Sequence, residues 1–216
     1  MSVFTIREAR REDCTHIRHL AQELADMEMM PNGPKITAKD LERDGFDRDP
    51  PYFYTYVAEL SSETGEDAVV PDKGKDVSMV NGHHEVPAGE SQQSSIIIGY
   101  AIYYFSYSTW VGRCVYLEDL YVIPKYRKQG VGAALFTRVA KLANPLFVLS
   151  STAEDGEIEV RISRCHELGC QRLDFAVLNW NPAQDFYKKL GAVNITTTES
   201  WEHFRLSDEA LENVAL

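Results

Sequence analysis

Tyr116-Leu117-Glu118-Asp119-Leu120-Tyr121-Val122-Ile123-Pro124-Lys125-Tyr126-Arg127-Lys128-Gln129-Gly130-Val131-Gly132-Ala133 reads as a strand, a basic turn, and a helix with two glycines in its opening turn. Unpaired amides at a helix N-terminus attract anions, and glycine lets a diphosphate approach the backbone. Lys125, Arg127 and Lys128 add positive charge beside that turn. The spacing is R-x-x-G-x-G. Taken alone it is a turn more often than a site. It is not a P-loop, because no Gly-Lys-Ser/Thr follows, and it lacks the third glycine of a dinucleotide fingerprint.

The flanking elements give the stretch a setting. Val115–Val122 and Ser95–Phe105 are apolar strands joined by a short connection with Gly112 in the turn, so antiparallel pairing is expected. Upstream, residues 2–7 and 52–60 read as strands. Ile17, Leu20, Leu24 and Met27 recur at helical spacing from Asp13, an expected N-cap, to about Met29. Thr37 is the expected N-cap of a second helix that stops at Gly45. Downstream, Val131, Leu135, Val139 and Leu142 mark one face of a helix over 130–143. Residues 144–156 read as a loop and 157–168 as a helix. Arg172–Leu178 reads as a strand, Ala183–Leu190 as a short helix stopped by Gly191, and Trp201–Leu206 as a last strand. Residues 61–94 are polar and without period, which predicts a long disordered hairpin loop. The order is that of an α/β sandwich around a mixed sheet, and 216 residues fit one domain.

Composition narrows the function. A formal charge of −11 disfavours a nucleic-acid partner and suits cationic ligands. No apolar run approaches membrane-span length, and the N-terminus lacks the apolar core of a signal peptide, so a cytoplasmic protein is expected. Cys14, Cys114, Cys165 and Cys170 lack metal or disulfide spacing, and His83-His84 has no partner cluster, so no metal is expected.

R-x-x-G-x-G after "LEDLYVIPKYR", followed by "NPAQDFYKKLGA", resembles the GNAT acetyltransferase superfamily. Glu23-Leu24-Ala25, Asp44-Gly45-Phe46, "GYAIYYFSYSTW", "YLEDLYV" and Glu199-Ser200-Trp201 are similar to its diamine acetyltransferases, the spermidine/spermine N1- and thialysine N-acetyltransferases. The resemblance implies a GNAT fold over 1–216, a mixed and mostly antiparallel sheet with a splayed strand pair flanked by helices, and loops expanded at about 61–94 and 144–163. It implies acetyl-CoA as co-substrate and a homodimer. The pantetheine arm would lie on the backbone of Leu120, Tyr121 and Val122. The diphosphate would lie on Lys128, Gln129, Gly130, Val131, Gly132 and Ala133 beside Arg127, with Asn181 as a further contact. Tyr187 takes the place of the general acid and Glu118 that of the base. Between Asn181 and Ala183 the chain is one residue short of the usual N-x-x-A spacing, which weakens Asn181 as a contact.

Each of these residues has an ordinary reading: Tyr187 as packing, Glu118 as a strand-end carboxylate, Arg127-Lys128 as a solvated turn. Only their joint pattern favours catalysis. Glu28, Ser108, Trp110, Glu118, Glu199 and Trp201 match family positions around the amine. Ser108 stands where polyamine enzymes carry an acid, so the "YSTW-GR" form resembles the thialysine type. Carboxylates would pair with ammonium, and indoles would add cation–π contact. A protein-lysine acetyltransferase and a CoA-binding interaction module are the alternatives.

Overall fold

The computed structural model describes residues 3–60, 96–143, 149–152, 158–161 and 170–214. The expected loop at 61–94, Cys165, and most of 144–163 lie outside the described residues. The chain packs as two compact units, Met1–Ala176 and Val177–Leu216.

The first unit holds a five-stranded sheet in the order β1 (Phe4–Glu8), β2 (Tyr54–Leu60), β3 (Ile97–Ser108), β4 (Gly112–Val122) and β7 (Leu173–Phe175). Every neighbouring pair is antiparallel except β4–β7, which is parallel. β3 is a near-continuous apolar run because helices cover both faces of the sheet. On one face α1 (Cys14–Met27) and α2 (Ala38–Gly45) place Ile17, Leu20, Ala21 and Leu41 against Val57, Tyr100, Ile102 and Tyr121. On the other, α3 (Val131–Ala140) buries Val131, Leu135 and Val139, and its Arg138 lies 5.3 Å over the Tyr56 ring. Tyr56 and Val57 are consecutive, so strand alternation sends them to opposite faces. Gly99 on β3 is required by proximity: a Cβ there would stand 2.7 Å from the Tyr121 carbonyl oxygen.

Thr37 caps α2 as expected. Its Oγ1 accepts from the Asp40 N–H at 3.3 Å, and Asp40 Oδ2 accepts from the Thr37 N–H at 2.8 Å. Asp13 is the N-cap residue of α1 as expected, but its side chain makes no capping hydrogen bond to that helix. Its buried carboxylate accepts from the Arg10 N–H at 2.7 Å and pairs with Arg7 at 2.6 Å, and Arg7 also binds Glu59 at 2.9 Å. That ion triad ties the entry of α1 to β1 and β2.

Two expectations are corrected. Leu149–Thr152 (β5) and Ile158–Arg161 (β6) are antiparallel strands, where the sequence suggested a loop and then a helix. Ile158-Glu159-Val160-Arg161 alternates with period two, which suits a strand once β5 supplies a partner. Trp201–Leu206 is not a strand: Trp201, Phe204 and Leu206 are all exposed, and the segment pairs with no strand among the described residues. The second unit instead carries α4 (Ala183–Lys189), α5 (Ile195–Thr198) and α6 (Asp208–Val214).

Candidate active site

The site is built around a β-bulge. β3 and β4 pair in register from Ser108↔Gly112 to Tyr103↔Leu117, then resume at Ile102↔Asp119, so Glu118 is the extra residue. A bulge shifts the phase of everything beyond it. Before it, the Val115 N–H donates to Arg172 C=O on the β7 side at 2.8 Å. Beyond it, the Ile123 N–H donates to Ile98 C=O on β3 at 3.0 Å. By alternation Tyr121 also faces β3, and the backbone groups of Leu120 and Val122 face the opposite edge. β7 pairs with β4 only at Val115, Tyr116 and Leu117. Among the described residues, no strand pairs with the β4 edge from Glu118 to Val122. That edge offers backbone donors and acceptors to an extended ligand.

The edge runs into the glycine turn. Lys128 at φ 61° and Gly130 at φ 88° are both left-handed, and Gly130 is the N-cap of α3. The Ala134 N–H donates to Gly130 C=O at 2.9 Å. The N–H groups of Val131, Gly132 and Ala133 therefore precede the first N–H that has an acceptor within the helix. A Cβ built on Gly130 meets nothing within 4 Å, and one on Gly132 meets only Val122 Cγ2 at 3.7 Å, so the approach to these amides is open. The residues present fit a diphosphate. Gln129 Nε2 donates to Lys125 C=O at 3.1 Å and braces the turn. Arg127 folds back: its Nε donates to Val122 C=O at 2.8 Å, its guanidinium lies 5.3 Å over the Tyr121 ring, and Nη2 is 3.2 Å from Met27 Sδ. Arg127 thus bridges turn, edge and α1, while its charge stays exposed.

An acidic corner lies on the α1 face of the same strand. Glu118 is exposed. Asp119 is half-buried, and its Oδ2 accepts from the Tyr100 hydroxyl at 3.0 Å. Burial pushes Asp119 up to about 6; the Tyr100 hydrogen bond opposes this, and the charges of Glu118 and Glu28 add to it. Burial also raises Glu28, at the C-terminal end of α1. The Tyr121 hydroxyl donates to Glu23 Oε2 at 2.8 Å, and burial followed by that bond takes Tyr121 up to about 12. The structure thus gathers Glu28 and Glu118 and adds Asp119 and Tyr100, which the sequence reading missed. Two consecutive acids inside an otherwise apolar strand were the available signal, since strict alternation cannot solvate both.

Ser108 and Trp110 sit at the tip of the β3–β4 hairpin, where Ser108 Oγ accepts from the Trp110 N–H at 3.2 Å. Ser108 is four residues along β3 from Tyr104, and Trp110 lies in the turn beyond it. In the second unit, Asn181 Oδ1 accepts from the Ala183 N–H at 2.9 Å and opens α4. Tyr187 lies half-buried on α4, its ring edge-on to Phe186 at 5.1 Å. Trp201 Nε1 donates to Glu199 Oε2 at 3.1 Å, so those two predicted residues are neighbours.

The family model described as "Acetyltransferase (GNAT) family" matches residues 76–151. The chain is 36% identical over 216 residues to thialysine N-epsilon-acetyltransferase of Bos taurus, covering 100% of this chain and 99% of the relative. The chain belongs to the GNAT acetyltransferase family, in its diamine acetyltransferase subgroup. It is 31% identical to spermidine/spermine N(1)-acetyltransferase-like protein 1 of Homo sapiens, over all of this chain and 24% of that one. Among solved structures, AAC(6')-Iy in complex with a CoA bisubstrate analog superposes with TM-score 0.54 at 18% identity, covering 94% of this chain and 98% of that chain. An aminoglycoside acetyltransferase from a soil metagenome, bound to sisomicin, gives 0.56 at 15%, covering 95% and 97%. The five-stranded sheet with its flanking helices is the GNAT fold, and this GNAT protein is an N-acetyltransferase.

Proposed function

We propose that this enzyme moves the acetyl group of acetyl-CoA onto the amine of a small lysine-like or diamine substrate, of the thialysine type. The observation that carries the reading is the β4 edge, paired by no strand among the described residues, running directly into the open amides of the glycine turn, with Glu118 on the same strand. Leu120, Tyr121 and Val122 would line the pantetheine arm, and residues 128–133 the diphosphate. A protonated amine has no lone pair to attack with, so a base must take its proton. Glu118 is the proposed base, receiving the proton directly or through water. The freed nitrogen bonds to the thioester carbonyl carbon, the carbon–sulfur bond breaks, and the nitrogen's second proton leaves to solvent, from which Tyr187 is reprotonated. Tyr187, in the second unit, is the proposed donor to the departing thiolate, whose pKa near ~8.5 suits a phenol. An N–H on the free edge would stabilise the oxyanion. No covalent enzyme intermediate is required. Glu28, Glu199, Trp110 and Trp201 are proposed amine-site residues, and a cytoplasmic homodimer is the proposed setting.

The test follows free thiol from acetyl-CoA with thialysine, spermidine, lysine and a lysine peptide as acceptors. Thialysine is expected to react best. Reaction with the peptide alone overturns the reading. Tyr187→Phe is expected to lose turnover of thialysine by at least about 10²-fold with CoA affinity retained, and a fully active variant removes Tyr187 from the mechanism.

A further inference from the structure

On the α1 face, two residues before Glu118, Tyr116 stands directly opposite Tyr104 in the β3–β4 register. The two rings stack with centroids 5.1 Å apart and planes 25° from parallel. Helix α1 covers Tyr100 and Ile102 on this face, but Tyr104 and Tyr116 are only half-buried. Burial, then the charge of Glu118, raises both phenols, so the carboxylate lies within electrostatic reach of the pair. Asp174, next to Tyr116 on β7, adds a smaller push and is itself bound to Arg172 at 2.8 Å. No step proposed above uses either tyrosine.

The order along β4 gives the pair a direction. The free edge for the coenzyme arm begins at Leu120, the base is Glu118, and the aromatic pair centres on Tyr116. Relative to the reacting nitrogen, the pair therefore lies on the side away from the coenzyme, where the rest of the substrate must extend. At ~3.3 Å per strand residue, Tyr116 is about 7 Å from Glu118. That is the span between the two nitrogens of a four- to five-atom diamine or a lysine-like amino acid. A half-exposed electron-rich face with carboxylates on its rim attracts a cation there.

We propose that the stacked Tyr104–Tyr116 pair is a specificity element that holds the second, non-reacting cationic group of the substrate. The inference rests on the small-amine acetyltransferase reading. It makes the enzyme a reader of amine spacing: acceptors with a second ammonium about 7 Å from the first gain affinity over monoamines of equal length.

The experiment compares kcat/KM for thialysine and 1,4-diaminobutane with that for butylamine in the wild type, Tyr104→Leu, Tyr116→Leu and the two Phe variants. The Leu variants are expected to lose about 10-fold on the two acceptors that carry a second ammonium, mainly through KM, with butylamine changed less than about 2-fold. The Phe variants, which keep the ring, are expected to retain the preference. Fluorinated phenylalanines at position 104 keep the ring's shape while emptying its face, and stepwise loss on the two-ammonium acceptors alone is expected. This arm also serves if a Leu variant does not fold. Equal loss on all amines, or an unchanged ratio, overturns the inference and leaves the acetyltransferase reading standing. A wild type that acetylates none of these amines overturns both.

Discussion

Asp119→Asn separates the electrostatics of the acidic corner from its packing. In the wild type the native carboxyl titrates at about 6, against an ordinary 3.8, because burial beside Glu118 and Glu28 outweighs the hydrogen bond from Tyr100. The native state therefore holds its proton to higher pH than the unfolded chain. Between about 3.8 and 6 unfolding releases a proton, so this group lowers stability as pH rises through that window and costs a constant amount above it. At ~1.36 kcal/mol per pH unit, the charged form costs about 3 kcal/mol at pH 7.5 and about 1 kcal/mol at pH 4.5. Asn removes the charge and still accepts from the Tyr100 hydroxyl. The variant is expected to be more stable than wild type at pH 7.5, with an advantage about 2 kcal/mol smaller at pH 4.5. Asp40, Asp44 and Asp47, lowered mainly by their partners Thr37, Arg43 and Arg11, favour stability in the opposite sense. They act equally in both proteins and cancel in the difference. Urea denaturation of the pair at the two pH values measures it. An advantage that does not change with pH, or a variant less stable at pH 7.5, refutes the reasoning.

Thr37→Ala removes half of the Thr37–Asp40 capping box and is expected to lower stability by about 1 kcal/mol in chemical denaturation. Gly99→Ala forces a Cβ to 2.7 Å from the Tyr121 carbonyl oxygen; because that neighbour is backbone, a loss of about 1–3 kcal/mol is expected from the midpoint of the same transition. Gly130→Ala requires a side chain at φ 88° with no crowding to relieve. It is expected to cost about 1–2 kcal/mol and to raise the KM for acetyl-CoA more than that for the amine.

Much of the molecule was legible in one dimension. The apolar runs of β3 and β4, the 3.6-residue spacing of Ile17, Leu20 and Leu24, the Thr37 cap and the glycine stop of α4 depend on neighbours within a turn or two, and each lies where those neighbours put it. The two left-handed positions of the turn were half legible: Gly130 announces one, whereas Lys128 adopts the other against its own steric preference. The R-x-x-G-x-G spacing located the turn and the open amides of α3, because helix amides and glycine are local facts. Other features depended on partners remote in the chain. Trp201–Leu206 has strand-like composition but joins no ladder among the described residues, and Ile158–Arg161 became a strand because Leu149–Thr152 could pair with it. The bulge at Glu118 exists only in the register between β3 and β4, yet it turns the backbone of Leu120 and Val122 to the free edge. Asp119, Tyr100 and Glu28 come together across 91 residues of sequence because α1 packs on that face of the sheet. Periodicity and capping are written into the chain one residue at a time; register, burial and the meeting of charges are properties of pairs, and only the folded sheet brings those pairs together.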